Sequence, residues 1–356
     1  MNELEARLDY PFGDELPQPG QAREVAPGVK WIRMPLPFAL DHINLWLLRD
    51  EIDGRQGWTV VDTGIARPEV KALWETIFEN VLEGLPVLRL IVTHMHPDHT
   101  GLAAWMCERW KAPLHMSMTD FYVASLWSSR PAGGAGTGGD VAVAHFARHG
   151  LTDADAQEQI RQRASYYPSL VEGMPRRFVR MLGGEQLRIG GRQWAFIAGY
   201  GHAPEHISLY CPELKVLISG DMVLPRISTN VSVFDHEPDA DPLKLYLQSL
   251  DSYKPLPEDT LVLPSHGRPF KGLHERLRQQ HAHHAERLSE VLQWCSEKPM
   301  SASDVVPHMF KRKLDLHQMT FAMGEALAHL HTLYHEGKLT RTEDDKGVFR
   351  FSATAA

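Results

Sequence analysis

Apolar positions along the chain follow two rhythms. Short runs rich in β-branched and aromatic residues, VKWIRM (29–34), HINLWLL (42–48) and WTVVD (58–62), predict strands. A 3.6-residue pattern then predicts a helix from Pro68 to Asn80, with Pro68 suited to a first turn. LRLIVT (88–93) lacks polar alternation and predicts a fully buried strand, followed by helix over 100–110 and a short strand PLHM (113–116). The β rhythm returns in QLRI (186–189), QWAFIAG (193–199), ISLYC (207–211) and KVLISGD (215–221). A helix over 242–253, a strand TLVLP (260–264) and a long helix over 272–297 complete the pattern. Residues 117–180 differ: they read as helical or loose, with GGAGTGG (133–139) in their middle. The whole predicts an α/β fold with a helical insertion before its second half.

From about residue 300 the pattern changes again. SASDVVPHMFKR predicts a capped short helix, LHQMTFAMGEALAHLHTLYHEG a longer amphipathic one ending at Gly337, and KLTRTE and GVFRFS two strands joined by the polar turn DDK. Helix, helix and two-stranded ribbon predict a small winged-helix-like domain. A nucleic-acid role for it would need a basic face, and from 301 the chain carries seven Lys/Arg against seven Asp/Glu. A packing or dimerising role, with a homodimer as the corresponding partner, therefore fits the charge better. On that reading Leu316, Met319, Met323, Leu327 and Leu330 form one buried helix face. A nucleic-acid role would instead need Lys311, Arg312, Lys313, Lys338 and Arg341 to converge.

Composition narrows the rest. The net charge of −8 gives no footprint for nucleic acid or an anionic membrane. Three scattered cysteines, Cys107, Cys211 and Cys295, supply neither a disulfide framework nor a CxxC metal site. The first twenty residues are acidic without an apolar segment, so neither a signal peptide nor a membrane span is expected, and a reducing, cytoplasmic location is.

Histidine is abundant, with 20 in the chain, and it clusters in THMHPDHTG (93–101). In strand alternation His94 and His96 share a side. The turn into the next helix lets Asp98 and His99 approach the same point, with Gly101 permitting a tight passage. Imidazole and carboxylate together suit zinc, iron(II) or manganese. Further donors of these types stand at predicted strand ends: His202 in GYGHAPEH, Asp221 closing KVLISGD and His266 in PSHGRP.

The ordered set HxHxDH, then His, Asp and His, resembles the metallo-β-lactamase superfamily over about residues 24–275. The resemblance implies a four-layer αββα sandwich with a two-metal site along one edge. It implies a first metal on His94, His96 and His202, a second on Asp98, His99 and His266, and Asp221 bridging them. VDTG (61–64) matches the family's early strand-end motif, which makes Asp62 a support for the site. Winged-helix-like tails occur in a subgroup that includes the β-lactamase-like protein 2 type, and residues 276–356 are similar to a linker helix and such a tail. Two divalent ions, zinc expected and iron or manganese as alternatives, would share a hydroxide, with Asp98 and Asp221 as catalytic carboxylates.

The ligand set is similar to those of thioesterases, lactonases and phosphodiesterases of this superfamily. A small thioester, ester or lactone is the expected substrate. A phosphodiesterase or ribonuclease, a non-catalytic metal-bound scaffold and an iron-dependent oxygenase are the alternatives. Arg226, Tyr166 and Tyr167 are candidate substrate contacts, and His206 a candidate support or acid near the leaving group. HAHH (281–284), His329, His331 and His335 read as ordinary helix positions, and GGAGTGG as a loop expected to lie with 117–180 over the metal edge.

Overall fold

The computed structural model describes residues 3–129, 138–311, 314 and 316–354. The described residues divide into two compact units, one within Met1–Ser129, Tyr167–Thr229 and Leu250–Leu277, the other within Arg130–Tyr166, Asn230–Ser249 and Arg278–Ala356.

The first unit is built on two sheets. Seven strands pair in chain order, β1 (Arg23–Ala26), β2 (Val29–Pro35), β3 (His42–Ile52), β4 (Arg55–Val61), β5 (Val87–Ile91), β6 (Leu114–Met116) and β7 (Val179–Arg180). Five more, β8 (Gln186–Ile189), β9 (Arg192–Gly199), β10 (His206–Cys211), β11 (Val216–Gly220) and β12 (Leu261–Pro264), form the second sheet in the order β12-β11-β10-β9-β8. Trp31, Trp46 and Ile91 of the first sheet and Trp194, Ile218 and Leu263 of the second belong to one buried cluster, so the sheets close on a shared apolar core. The strand predicted to be fully buried, β5, is buried at every residue, and so are β10, β11 and β12. Helix α1 (Pro68–Asn80) turns Val70, Trp74, Ile77 and Phe78 inward and covers the first sheet, where it packs against β2. Two further helices of this unit, α2 (Pro97–Thr100) and α3 (Ala103–Trp110), follow β5, and α4 (Met118–Ser129) follows β6.

Strand β5 ends at Ile91, two residues earlier than the pattern predicts. The reason is local: the Thr93 N–H donates to the Asp62 carboxylate at 2.8 Å, and the Thr93 carbonyl accepts from Ile207 N–H at 2.8 Å. His94 and His96 therefore stand in the bend after the strand, and strand alternation is not what aligns them. Gly101 passes so close to the next loop that an added Cβ would lie 2.5 Å from Gly64 O and 2.6 Å from Ile65 Cα. Its φ of −50° is ordinary, so space and not conformation requires glycine. Because the obstructing atoms are backbone, Gly101→Ala is expected to destabilise the first unit by about 3 kcal/mol, the upper end for overpacking, read as a lower denaturation midpoint.

The helical stretch 117–180 does not stay in one unit. Its first helix α4 belongs to the first unit, whereas α5 (Gly139–Arg148) and α6 (Ala154–Gln162) pack on each other in the second; α7 (Tyr166–Leu170) closes the stretch. Of the glycine-rich segment, residues 133–137 lie outside the described residues. Helices α8 (Pro242–Asp251) and α9 (Leu273–Glu297) lead towards the tail. There α10 (Ala302–Met309) opens on a reciprocal Ser301–Asp304 capping box, and α11 (Leu316–His335) precedes the antiparallel ribbon β13 (Leu339–Glu343) and β14 (Phe349–Ala353). Met323, Leu327 and Leu330 of α11 are fully buried and Met319 partly so; the Leu316 side chain lies outside the described residues, as do Arg312 and Lys313. His284, expected on a solvated face, is buried against the His329 and Tyr246 rings, because α9 presents that side to α11.

Candidate metal centre

Five segments bring their C-terminal strand ends to one place in the first unit. Asp62 directly follows β4, where it takes the left-handed conformation at φ 62°. Residues 94–99 follow β5, His202 follows β9, Asp221 follows β11 and His266 follows β12. The sheets are tied together at these ends. The Asn44 N–H of β3 donates to Ser265 O at 2.7 Å, and its side-chain amide donates to Pro264 O at 2.8 Å.

The donors form two groups. His94, His96, His202 and Asp221 offer ligand atoms that lie within 4.8 Å of one another, and so do Asp98, His99 and His266. In the first, His94 Nε2 is 2.8 Å from His96 Nδ1 and 3.2 Å from His202 Nε2, and His96 Nδ1 is 3.0 Å from His202 Nε2. In the second, Asp98 Oδ2 is 3.3 Å from His266 Nε2 and 3.7 Å from His99 Nε2. Asp221 faces both. Its Oδ2 is 3.3 Å from His202 Nε2, while its Oδ1 is 3.4 Å from His266 Nε2 and 3.6 Å from His99 Nε2.

Outer hydrogen bonds turn the other ring nitrogens towards the cluster. His99 Nδ1 donates to Asp62 Oδ2 at 2.8 Å, His266 Nδ1 donates to the His42 carbonyl at 2.8 Å, and His94 Nδ1 meets Thr93 Oγ1 at 3.1 Å. A histidine whose outer nitrogen is so held presents the other as a ligand. His99 Nε2 and Asp221 Oδ1 are buried without any hydrogen-bond partner. The residues fit divalent cations: orphaned donors of nitrogen and oxygen type converge, and the nitrogen spacings of the first group approach the ~3.3 Å edge of a tetrahedron with ~2.0–2.1 Å bonds.

The two groups differ in protonation. Burial drives the His94 ring well below its ordinary value and the His96 ring down to about 3, with neighbouring histidines adding to the effect. Burial also opposes charge on His266, yet Asp221 and Asp98 outweigh it and raise the ring to about 10. His99 is raised likewise by Asp62, Asp98 and Asp221 against the cost of burial. Burial opposes the charge of Asp98 as well, but His99 and His266 hold it down at about 2. The sign of the pH dependence follows. Groups with raised values hold protons at neutral pH, so a cation entering the second group must displace them, and falling pH weakens it about tenfold per proton per pH unit. Calorimetry in buffers of different ionisation enthalpy is expected to show protons released from His99 and His266 as a cation enters the second group, and no buffer dependence would contradict this.

The other sequence candidates fall around this cluster. His206 is fully buried and its Nε2 accepts the Asp221 N–H at 3.2 Å; a Cβ on Gly220, at φ 55°, would stand 2.1 Å from that nitrogen. Tyr167 is buried and its hydroxyl donates to the Met95 carbonyl at 2.5 Å. The Tyr166 ring, assigned to the second unit, lies under the Arg163 guanidinium at 4.6 Å. Arg226 is largely exposed and reaches Glu5 at 4.0 Å. Sequence reasoning missed Thr93 and Asp120, which hold backbone and ligands by contacts that no spacing encodes.

An αββα sandwich carrying seven imidazole and carboxylate donors at its strand ends defines a metal-dependent hydrolase. The chain belongs to the metallo-beta-lactamase superfamily, whose family model matches residues 39–266, and a metallo-beta-lactamase-like C-terminal domain model matches residues 288–354. A beta-lactamase domain protein of solved structure from Burkholderia ambifaria is 54% identical, with a TM-score of 0.94, covering 99% of this chain and 100% of that one. The probable metallo-hydrolase YqjP of Bacillus subtilis is 23% identical over 328 residues, 89% of this chain and 96% of that protein. A hydroxyacylglutathione hydrolase from Albidiferax ferrireducens is 26% identical over 236 residues, 65% of each.

Proposed function

We propose that the chain hydrolyses a small carboxylic thioester, ester or lactone, using two divalent cations held on either side of Asp221. The observation that carries this reading is the division of the Asp221 carboxylate, one oxygen towards His202 and the other towards His99 and His266. Bound there, divalent cations supply Lewis acidity and bring water to hydroxide near neutral pH. The protein's part is orientation. His94, His96 and His202 form a nitrogen face, and Asp98, His99 and His266 a mixed one. Asp62 and the His42 carbonyl fix which nitrogens of His99 and His266 point inward. Asp98 is held ionised and has a side chain 17% exposed, against 9% for Asp221, so it is the carboxylate best placed to accept a hydrogen bond from the attacking water. Zinc is the expected ion, since three imidazoles suit it, with iron or manganese separable by elemental analysis.

The likeness to a hydroxyacylglutathione hydrolase, an enzyme of thioesters by its name, supports the substrate class. The charge of the tail argues against the phosphodiesterase alternative. Arg341 pairs with Asp239 at 2.8 Å, Arg350 with Asp304 at 2.5 Å and Asp344 at 2.9 Å, and Lys338 with Glu336 at 2.7 Å, so these cations already have carboxylate partners. No helix among the described residues is long and apolar enough to cross a membrane. Cys107, Cys211 and Cys295 form no disulfide, which supports a reducing, cytoplasmic location. Parallel panels of thioesters, lactones and phosphodiesters, run on metal-loaded protein and a metal-free control, test the reading. Metal-dependent turnover of the carboxylic substrates is expected. Turnover confined to phosphodiesters, with salt-sensitive RNA binding, would replace it with the ribonuclease reading, and no turnover at all would favour the scaffold.

A further inference from the structure

The ligand segments of the first donor group come from opposite sheets, and one buried carboxylate joins them. Asp120, in the first turn of α4, is completely buried. Its Oδ1 accepts the Met95 N–H at 2.7 Å, and Met95 lies between the ligands His94 and His96. Its Oδ2 accepts the Glu205 N–H at 2.6 Å, three residues beyond His202. Ser117 Oγ, at 3.4 Å, makes the remaining contact. The Met95 peptide is gripped from its other end as well, by the Tyr167 hydroxyl on its carbonyl. Among the described residues no lysine, arginine or histidine pairs with Asp120.

A carboxylate buried without a cationic partner is costly. Burial pushes Asp120 up to about 7 in spite of the backbone donors. Two backbone N–H groups alone would not call for an anion, since turns and caps satisfy such groups with neutral acceptors. What Asp120 adds is a fixed, two-ended clamp on the two loops that must meet for His94, His96 and His202 to share one ion.

We propose that Asp120 is a positioning residue for the first cation group, setting the approach of the His94–His96 bend to the His202 loop and hence the affinity of one of the two ions. The inference rests on the two-cation reading. It differs from a role in folding because it touches one group: Asp98 and His99 stand on α2, tied to Asp62, and His266 is tied to His42, with no bond to Asp120.

The test is Asp120→Asn, which keeps the volume but sets an NH2 donor against one of the two N–H groups. Full-length wild-type and variant proteins, stripped of metal, are titrated with zinc in competition with a chromophoric chelator, and the melting temperature of each metal-free protein is recorded. We expect one ion to bind with wild-type affinity and the other ten- to hundredfold more weakly, the range for lost support of metal ligands, while the metal-free melting temperature changes little. Thr119→Val, which removes only a bond to the Glu205 side chain, should leave both affinities unchanged. Tyr167→Phe releases the Met95 carbonyl together with a 3.5 Å contact to Thr100 Oγ1 and should weaken the same ion to a smaller degree, which keeps the test open should Asp120→Asn fail to fold. Two wild-type affinities in both Asp120→Asn and Tyr167→Phe would overturn the inference. So would equal weakening of both ions with a lowered metal-free melting temperature, the mark of a role in the fold alone. Wild-type protein that binds a single ion would refute the two-cation reading, and Asp120 would then be judged by whether its variant weakens that ion.

Discussion

Replacing Asp221 by alanine is expected to lower hydrolysis by at least ~10³-fold, about 4 kcal/mol of transition-state stabilisation, and to reduce metal content in the same protein. The size follows from position. Oδ2 stands 3.3 Å from His202 Nε2, and Oδ1 stands 3.4 Å and 3.6 Å from His266 and His99 Nε2. The two Asp221 oxygens thus face the two donor groups separately. Removing the carboxylate withdraws a candidate ligand from each and leaves His99 and His266 without one of the carboxylates that raise them. Single-turnover kinetics and elemental analysis on one preparation read both effects. An Asp221→Ala protein that keeps two ions and works within tenfold of wild type would show that the carboxylate is not shared.

Stripping the metal should have an effect of similar size on activity and a measurable one on stability. Without cations the site holds His99 Nε2 and Asp221 Oδ1 buried without a hydrogen-bond partner, and three histidine nitrogens about 3 Å apart. A ligand that binds only the native state adds about 4 kcal/mol when its free concentration is a thousand times its dissociation constant. Chelation is therefore expected to abolish hydrolysis and to lower the resistance of the first unit to denaturant by roughly that amount for each tightly held ion. Zinc added back should restore both. Full activity after exhaustive chelation would remove metal from the account.

The donors were legible because chemistry at strand ends follows short spacings. THMHPDHTG places four of the seven within six residues, and His202, Asp221 and His266 each follow an apolar run that forms a strand as predicted. Asp62 was legible for the same reason. What holds the donors was not legible. Asp120 acts through the N–H groups of Met95 and Glu205, and Tyr167 through the Met95 carbonyl, contacts from side chain to distant backbone that leave no periodic trace. The short edge strands β1 and β7, of four and two residues, lie below the length at which alternation can be recognised. Nor could composition show that residues 139–162 group with the tail, because helices of either unit carry the same amphipathic pattern. The burial of His284 escaped for a related reason: a polar helix hides its packed side until its neighbour α11 is known.

The most direct measurement is the metal content of the full-length protein set against its activity. Titration of metal-free protein with zinc, with hydrolysis of a thioester followed at each step, is expected to saturate at two ions per chain, with full turnover reached only when the second is bound. Saturation at one ion, or full activity reached before the second binds, would contradict the claim that two cations share Asp221.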